Sequence, residues 1–353
     1  MKIRKEQLLL PLQKVVAVIE RKQTMPILAN VLVNVYRDSI VLTGTDLEIQ
    51  LIANIECEND EILAFTVNAR KLLDIVKLLP SDSVITIKSE DEKIKIQSGK
   101  SRFTLQTISA EAYPAFDSGE FPISFSIESQ ALKQVLDKTS CCMANQDVRF
   151  YLNGILVQSN GSVIKFVSSD GHRLAMCDIT FPVDEFKIII PRKAVLELSK
   201  ILTGHIDIEL SQNAMRFTIG DTVFYTKLID AKYPDFSKVL NQKFNDVQVD
   251  RLQLKDTLQR VSVLANEKYK GVIISINNHV INISSHNPEH EEAEEEISCD
   301  FSGSTEIGFN VIYMIDALNH LGSQNIALEI ADNASCCLIS ENNYSYIIMS
   351  MKL

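Results

Sequence analysis

Apolar residues at helical spacing recur three times along the chain, each time behind the same short run. Ile3-Arg4-Lys5-Glu6-Gln7-Leu8, Ile127-Glu128-Ser129-Gln130-Ala131-Leu132 and Val249-Asp250-Arg251-Leu252-Gln253-Leu254 align without gaps, 124 and then 122 residues apart. The spacing continues through Leu8/Leu12/Val15, Leu132/Leu136 and Leu254/Leu258/Val261, which predicts three amphipathic helices. A second helix is predicted over 70–79, 192–202 and 311–321, each behind a β-rich run (Phe65-Thr66-Val67, Ile188-Ile189-Ile190 and Ile307-Gly308-Phe309). Alternating runs follow as strands: Val84-Ile85-Thr86-Ile87-Lys88, Ile206-Asp207-Ile208-Glu209-Leu210 and Ile326-Ala327-Leu328-Glu329-Ile330.

A repeat of about 120 residues is therefore the unit of the chain. Its boundaries are expected at 1–122, 123–245 and 246–353. The first two repeats also close alike, on Tyr113-Pro114-Ala115-Phe116 and Tyr233-Pro234-Asp235-Phe236, where proline stops the last strand and sets up a linker. The expected fold class is α+β, with each repeat placing two helices on antiparallel sheet.

At 353 residues and 46% apolar content the chain suits two or three globular domains. No apolar run approaches the ~20 residues of a membrane span. The N-terminus enters an amphipathic segment directly, without a signal-peptide core, and the seven cysteines lack the spacing of a disulfide framework. A cytoplasmic location with reduced thiols is expected, and no membrane partner.

A net charge of −11 argues against a nucleic-acid partner only if it is evenly spread. It is not. The six helical segments together carry +9, leaving −20 on the rest. Basic helices on an acidic body suit loose, sequence-blind contact with a phosphate backbone. No zinc-finger spacing or aromatic run that would read bases is present. The repeats carry −2, +1 and −10. Lys93, Lys95, Lys100 and Arg102 gather in the first, and Glu289, Glu291, Glu292, Glu294, Glu295 and Glu296 in the last. Opposite charge at the two ends suggests head-to-tail pairing with a second copy.

Catalytic constellations are weak. His286 and His290 sit four apart, but Pro288 between them disfavours the helix a zinc-protease pair needs, so an acidic loop is expected there. Ser169, Asp170 and His172 are too close in sequence to converge on one reacting atom, which makes a polar turn beside an apolar pocket the better reading. No catalytic residue, metal site or cofactor is expected. The apolar end, Tyr346-Ile347-Ile348-Met349-Ser350-Met351-Lys352-Leu353, reads as a last core strand whose methionines would suit varied partner peptides.

In its motifs the chain resembles the bacterial sliding clamps, the beta subunits of DNA polymerase III, from end to end. The resemblance rests on Leu42-Thr43-Gly44-Thr45-Asp46-Leu47-Glu48, Ala69-Arg70-Lys71, Gln146-Asp147-Val148-Arg149 with Tyr151-Leu152-Asn153-Gly154, and Asp170-Gly171-His172-Arg173-Leu174-Ala175. It continues through Pro191-Arg192-Lys193, Tyr233-Pro234-Asp235-Phe236, Asn266-Glu267-Lys268, Asn287-Pro288-Glu289, Glu291-Glu292-Ala293-Glu294-Glu295 and Gly308-Phe309-Asn310.

The resemblance implies three DNA-clamp domains forming half of a head-to-tail dimeric ring around duplex DNA, a processivity factor without catalysis. It implies DNA contacts at Lys22, Arg70, Gln146, Phe150, Tyr151 and Lys193. It implies a partner-peptide cleft of Leu152, Ser169, Gly171, His172, Arg173, Leu174, Pro234, Lys238, Val239, Tyr269, Asn310, Tyr313, Cys336, Ile347, Met349, Met351, Lys352 and Leu353. A dimer contact would set Phe103 and Leu105 against Val263 and Leu264. The partners implied are the polymerase III catalytic subunit, the clamp loader, and other polymerases and repair proteins carrying a clamp-binding peptide. Ser350 stands where the family has proline, and Lys238 and Lys352 where it has arginine, which bears on the peptide preferred. The alternatives are a tandem-domain adaptor that ignores nucleic acid and a metal-dependent hydrolase.

Overall fold

The structure is a computed structural model that describes residues 1–20, 25–116 and 119–352. The first repeat runs β1 (Lys2–Arg4), α1 (Lys5–Ala17), β2 (Asn30–Val35), β3 (Ser39–Thr45) and β4 (Ile49–Glu56). It continues with β5 (Leu63–Asn68), α2 (Ala69–Leu78), β6 (Val84–Glu90), β7 (Lys93–Ser98) and β8 (Ser101–Ile108). The second repeat follows the same order: β9 (Ile123–Glu128), α3 (Ser129–Ser140), β10 (Gly154–Ser159), β11 (Val163–Ser169) and β12 (Arg173–Thr180). Then come β13 (Phe186–Pro191), α4 (Arg192–Ile201), β14 (His205–Leu210), β15 (Ala214–Ile219) and β16 (Thr222–Lys227). A short helix, α5 (Ser237–Leu240), precedes the third repeat. That repeat has β17 (Phe244–Asp250), α6 (Arg251–Val261), β18 (Gly271–Asn277), β19 (Val280–His286) and β20 (Glu292–Ser298). It ends with β21 (Ser304–Asn310), α7 (Val311–Asn319), β22 (Asn325–Ala331), β23 (Cys336–Glu341) and β24 (Tyr344–Met349).

The chain forms two compact units, Met1–Lys133 with Lys193–Leu228, and Gln134–Arg192 with Ile229–Leu353. The first holds a twelve-stranded sheet in the order β1-β6-β7-β8-β5-β2-β3-β4-β16-β15-β14-β9. The second holds an eight-stranded sheet, β13-β10-β11-β12-β24-β23-β22-β17, and a four-stranded one, β20-β19-β18-β21. All ladders are antiparallel, as expected of sheets with one face under helices.

The repeats share local devices as well as order. The hairpin turns β7–β8, β15–β16 and β23–β24 each have two residues, the first left-handed: Gly99 at φ 55°, Gly220 at φ 55° and Asn342 at φ 53°. Glycine and asparagine tolerate that conformation, so this turn fixes the register of each hairpin. An Asx turn follows β3, β11 and β19, the equivalent strand of each repeat. Asp46 Oδ1 accepts from the Glu48 and Ile49 amides, Asp170 Oδ1 from those of His172 and Arg173, and Asn287 Oδ1 from those of Glu289 and Glu291.

The first helix of each repeat is locked to its sheet at one point. Ser168 Oγ donates to the Thr139 carbonyl, and Ser285 Oγ donates to the Val261 carbonyl at 2.7 Å. Gly44 holds the equivalent place in the first repeat. There a Cβ would lie 2.8 Å from the Val15 carbonyl oxygen, so helix and strand touch without room for a side chain.

The acidic loop expected around Pro288 spans 287–291, and the glutamates beyond it lie on β20, where Ala293 and Ile297 turn inward and Glu295 bonds Thr257 and Arg260 of α6. Two sequence expectations need correction. The first helix stops at Ala17, short of the basic residues Arg21 and Lys22, which lie outside the described residues. The Tyr-Pro-x-Phe segments are more than linkers: Tyr113 and Tyr233 are 8% and 2% exposed and plug the outer face of their repeats.

Gly44→Ala is expected to lower the urea midpoint by forcing α1 off β3. Ser285→Ala should cost about 1–2 kcal/mol by stranding the Val261 carbonyl. Equilibrium unfolding checks both, and midpoints equal to that of the parent chain would refute the lock.

Candidate functional site

Where β12 pairs with β24, the outer face of the eight-stranded sheet carries an apolar strip. Register sets Arg173 opposite Ile348 and Leu174 opposite Ile347. Leu152, Leu156, Val167, Leu174, Ile189, Cys336, Leu338 and Ile347 form one buried cluster there. The segment after β16 folds back over it, laying Tyr233, Phe236, Val239 and Leu240 on the strip. Half-buried Met349 stays at the margin of the cover, and Pro234 and Lys238 are exposed at the rim. This buried floor with its half-buried cover is the candidate site for apolar anchors.

Its polar wall is built around Arg173. The guanidinium donates to Asp170 Oδ2 at 3.0 Å, Asp316 Oδ2 at 2.6 Å, the Tyr346 hydroxyl at 3.0 Å and the Cys141 carbonyl at 2.6 Å. It also stacks over the Tyr313 ring, 4.2 Å from the centroid. Burial works against its charge, but the Asp316 carboxylate bonded to it holds it firmly protonated. Arginine thus ties β12 to β24 and α7, using the fork of donors that lysine lacks.

The Ser169–Arg173 turn is closed by Ser169 Oγ, which donates to the Arg173 carbonyl at 2.8 Å and accepts from the Gly171 amide at 3.1 Å. Gly171 has φ +88°, and a Cβ there would strike the Arg149 guanidinium at 2.6 Å. Arg149 in turn holds Asp147 in a two-pronged ion pair, keeping that carboxyl down at about 2, and donates to the Asp170 carbonyl at 3.0 Å. His172 is exposed, and its carbonyl accepts from the Met349 amide at 2.8 Å. Ser169 and His172 are therefore turn residues, not a nucleophile and base. The polar-turn reading stands.

Of the cleft expected from the sequence, Leu152, Leu174, Val239, Cys336, Ile347 and Met349 meet in the cluster, while Ser169, Gly171, His172, Arg173 and Tyr313 form the wall. Asn310 caps α7 and donates to the Tyr269 carbonyl at 3.3 Å, so these two mark a neighbouring stretch. Met351 donates its amide to the Gly308 carbonyl at 2.9 Å, exposed Lys352 follows, and Leu353 lies outside the described residues. Sequence reasoning misses the cluster members Leu156, Val167, Met176, Tyr233 and Phe236. The repeated Tyr-Pro-x-Phe motif is the signal that could have found the last two.

The expected DNA contacts fare unevenly. Gln146 and Phe150 are exposed on the loop latched by Asp147, and Tyr151 is half-buried against the cluster. Arg70 is exposed and donates to the Ile19 carbonyl at 3.1 Å. Lys193 is bonded to both Glu20 and Asp46, so much of its charge is already answered. Lys22 lies outside the described residues. Among the described residues no group of histidine, cysteine or acidic side chains is placed to hold a metal ion. The seven cysteines are free thiols.

The strand edges bear on assembly. Among the described residues β8 meets β5 only at Val67 and Thr66, leaving Ser101–Gln106 open on that side, with Phe103 and Leu105 half-buried. Among the described residues β20 pairs with β19 alone. Val263, in the turn just past α6, is 77% exposed, and Leu264 is half-buried.

Three family descriptions match consecutive stretches: the N-terminal domain of the DNA polymerase III beta subunit over residues 1–117, its central domain over 126–235 and its C-terminal domain over 238–352. The beta sliding clamp of Pseudomonas aeruginosa is 42% identical, and that of Escherichia coli K12 36%, with 99% of both chains covered in each case. A crystal structure of the Pseudomonas aeruginosa DNA polymerase sliding clamp superposes with a TM-score of 0.96 at 41% identity, covering 100% of this chain and 99% of that one. The Caulobacter crescentus polymerase III beta structure gives 0.96 at 28% identity, again over 100% and 99%. The chain belongs to the family of DNA polymerase III beta subunits, the beta sliding clamps, and is a processivity subunit rather than an enzyme.

Proposed function

We propose that two copies of this chain close head to tail into a ring around duplex DNA, and that the apolar cleft tethers the polymerase to it. The observation that carries this reading is a strand-pairing rule met twice within the chain. At the first junction β16 pairs with β4, Phe224 opposite Leu51; at the second β24 pairs with β12, Tyr346 opposite Ala175. The hairpin turns align Phe103 with Phe224 and Tyr346, and the Asx turns and inward-facing positions align Ala293 with Leu51 and Ala175. The strands left over are β8, open along Ser101–Gln106 among the described residues, and β20, an edge of its sheet. A third junction of the same kind joins β8 of one copy to β20 of another, Phe103 opposite Ala293, and two such contacts complete the ring.

Charge supports this pairing. The same register sets Arg102 opposite Glu294, a member of the first repeat's basic cluster against the third repeat's acidic run. Phe103 and Leu105 then gain cover near Val263 and Leu264, as Phe224 and Tyr346, both 0% exposed, have at the internal junctions. The domains are taken as 1–122, 123–245 and 246–353.

In this reading the basic helices, with Lys22, Arg70 and Lys193, and the loop residues Gln146, Phe150 and Tyr151, meet the phosphate backbone without reading sequence. Lys193 contributes least, because Glu20 and Asp46 hold it. Retention comes from topology, so weak contacts suffice. A polymerase whose peptide occupies the cleft stays at high effective concentration near its primer end. A few apolar anchors on the floor carry most of that affinity. The polymerase III catalytic subunit, the clamp loader, and other polymerases and repair proteins bearing such a peptide are the proposed occupants, in the bacterial cytoplasm where DNA is copied.

Phe103→Ala with Leu105→Ala should shift the chain toward monomer in sedimentation equilibrium; an unchanged mass would refute that contact. Rings loaded by a clamp loader on nicked circular DNA should be lost when the circle is cut, and retention on the linear product would contradict encirclement. Deleting Met349–Leu353 should weaken polymerase binding by at least about tenfold, worth about 1.4 kcal/mol, while the dimer persists. Parental affinity would refute the cleft.

A further inference from the structure

The outer face of every repeat has the same cross-strand pair at its centre: Leu32 opposite Thr43, Leu156 opposite Val167, and Ile273 opposite Ser284. In the first repeat Tyr113 covers it, packed with Leu32 and donating its hydroxyl to the Asn30 and Thr43 carbonyls at 3.3 and 3.2 Å. In the second repeat Tyr233 does so, in one cluster with Leu156 and Val167. In the third, no described residue takes the tyrosine's place. Ile273 and Ser284 instead floor a pocket of about 370 Å³, walled by Gly271, Tyr269, His286 and Met351. Gly271 occupies the position of Asn30, since both start the strand and pair with the residue before the second helix.

We infer that this pocket is a docking site for an aromatic side chain, tyrosine above all, presented on an extended segment of a partner protein. The chain itself twice shows what the site takes, because Tyr113 and Tyr233 fill its two equivalents. The Gly271 and Ser284 carbonyls stand where those of Asn30 and Thr43 receive the Tyr113 hydroxyl. The occupant is further defined by continuity: Tyr269, Met351 and Lys352 border this pocket and also belong to the proposed cleft. An aromatic residue flanking the apolar anchors of a cleft-bound peptide would reach it, giving partners a second anchor; this last step rests on the cleft reading, whereas the pocket's preference does not.

Methyl NMR of the full-length chain, labelled at isoleucine and methionine, tests the inference with the peptide acetyl-Tyr-Pro-Asp-Phe-amide, taken from residues 233–236. The Ile273 and Met351 methyls should shift and saturate at millimolar peptide. Acetyl-Ala-Pro-Asp-Ala-amide should leave them unmoved. Ser284→Trp, which fills the pocket from an outward strand position, should weaken binding at least about tenfold; His286→Trp serves if that variant misfolds. Shifts confined to Ile347 and Met349 would overturn the pocket and leave the cleft reading intact. No shift, or undiminished binding to the filled variants, would also overturn it. Pocket shifts in the parental chain would keep the pocket even if that chain shows no polymerase affinity and the cleft reading fails.

Discussion

Edge-to-edge pairing between the last strand of one repeat and a fixed strand of another is the constraint on which the rest depends. An open strand edge is a row of free donors and acceptors, and a chain of repeats must either blunt each edge or pair it. Here β16 pairs with β4 and β24 with β12, in equivalent register and with buried residues at the centre of both ladders. Because the repeats are equivalent, that solution leaves one edge of each kind unused. The charges on those two edges are opposite, which favours their meeting across copies over either edge meeting its own kind.

The same pairing shapes the proposed cleft. Joining β12 to β24 sets the turn at Ser169–Arg173 beside the strand that ends at Met349, so apolar floor and polar wall come from distant parts of the sequence. Arg173 fastens the seam through four hydrogen bonds and a stacked ring. Its role is to position the wall; chemistry is not needed from it. The pocket over Ile273 and Ser284 obeys the repeat in another way, as the one outer-face site whose tyrosine the described chain does not supply.

Much of this is legible in the sequence. The apolar spacing locates six helices to within a few residues, and the strands at 84–88, 206–210 and 326–330 lie inside β6, β14 and β22. Summing charge by element separates basic helices from an acidic body. Period alone does not reveal which later segment folds back to cover a given face of a strand. Tyr233 therefore reads as part of a linker. Lys193 looks like a free cation because its partners, Glu20 and Asp46, lie far away in sequence. Non-local contacts of that sort leave no local trace. The proposed cleft residues come from family resemblance; Leu174, Ile347 and Met349 meet in one cluster, whereas Asn310 and Tyr269 mark a neighbouring stretch.

Disulfide capture of the third junction tests the central claim most directly. With Arg102→Cys and Glu294→Cys in one chain, directly opposed strand positions bring the two sulfurs within bonding reach. Oxidation should then yield a covalent dimer on a non-reducing denaturing gel, whereas the pair moved one residue out of register, Arg102→Cys with Ala293→Cys, should not crosslink efficiently. A chain that stays monomeric on the gel, or crosslinks equally well in both registers, would contradict a ring closed by the same strand pairing that joins its repeats.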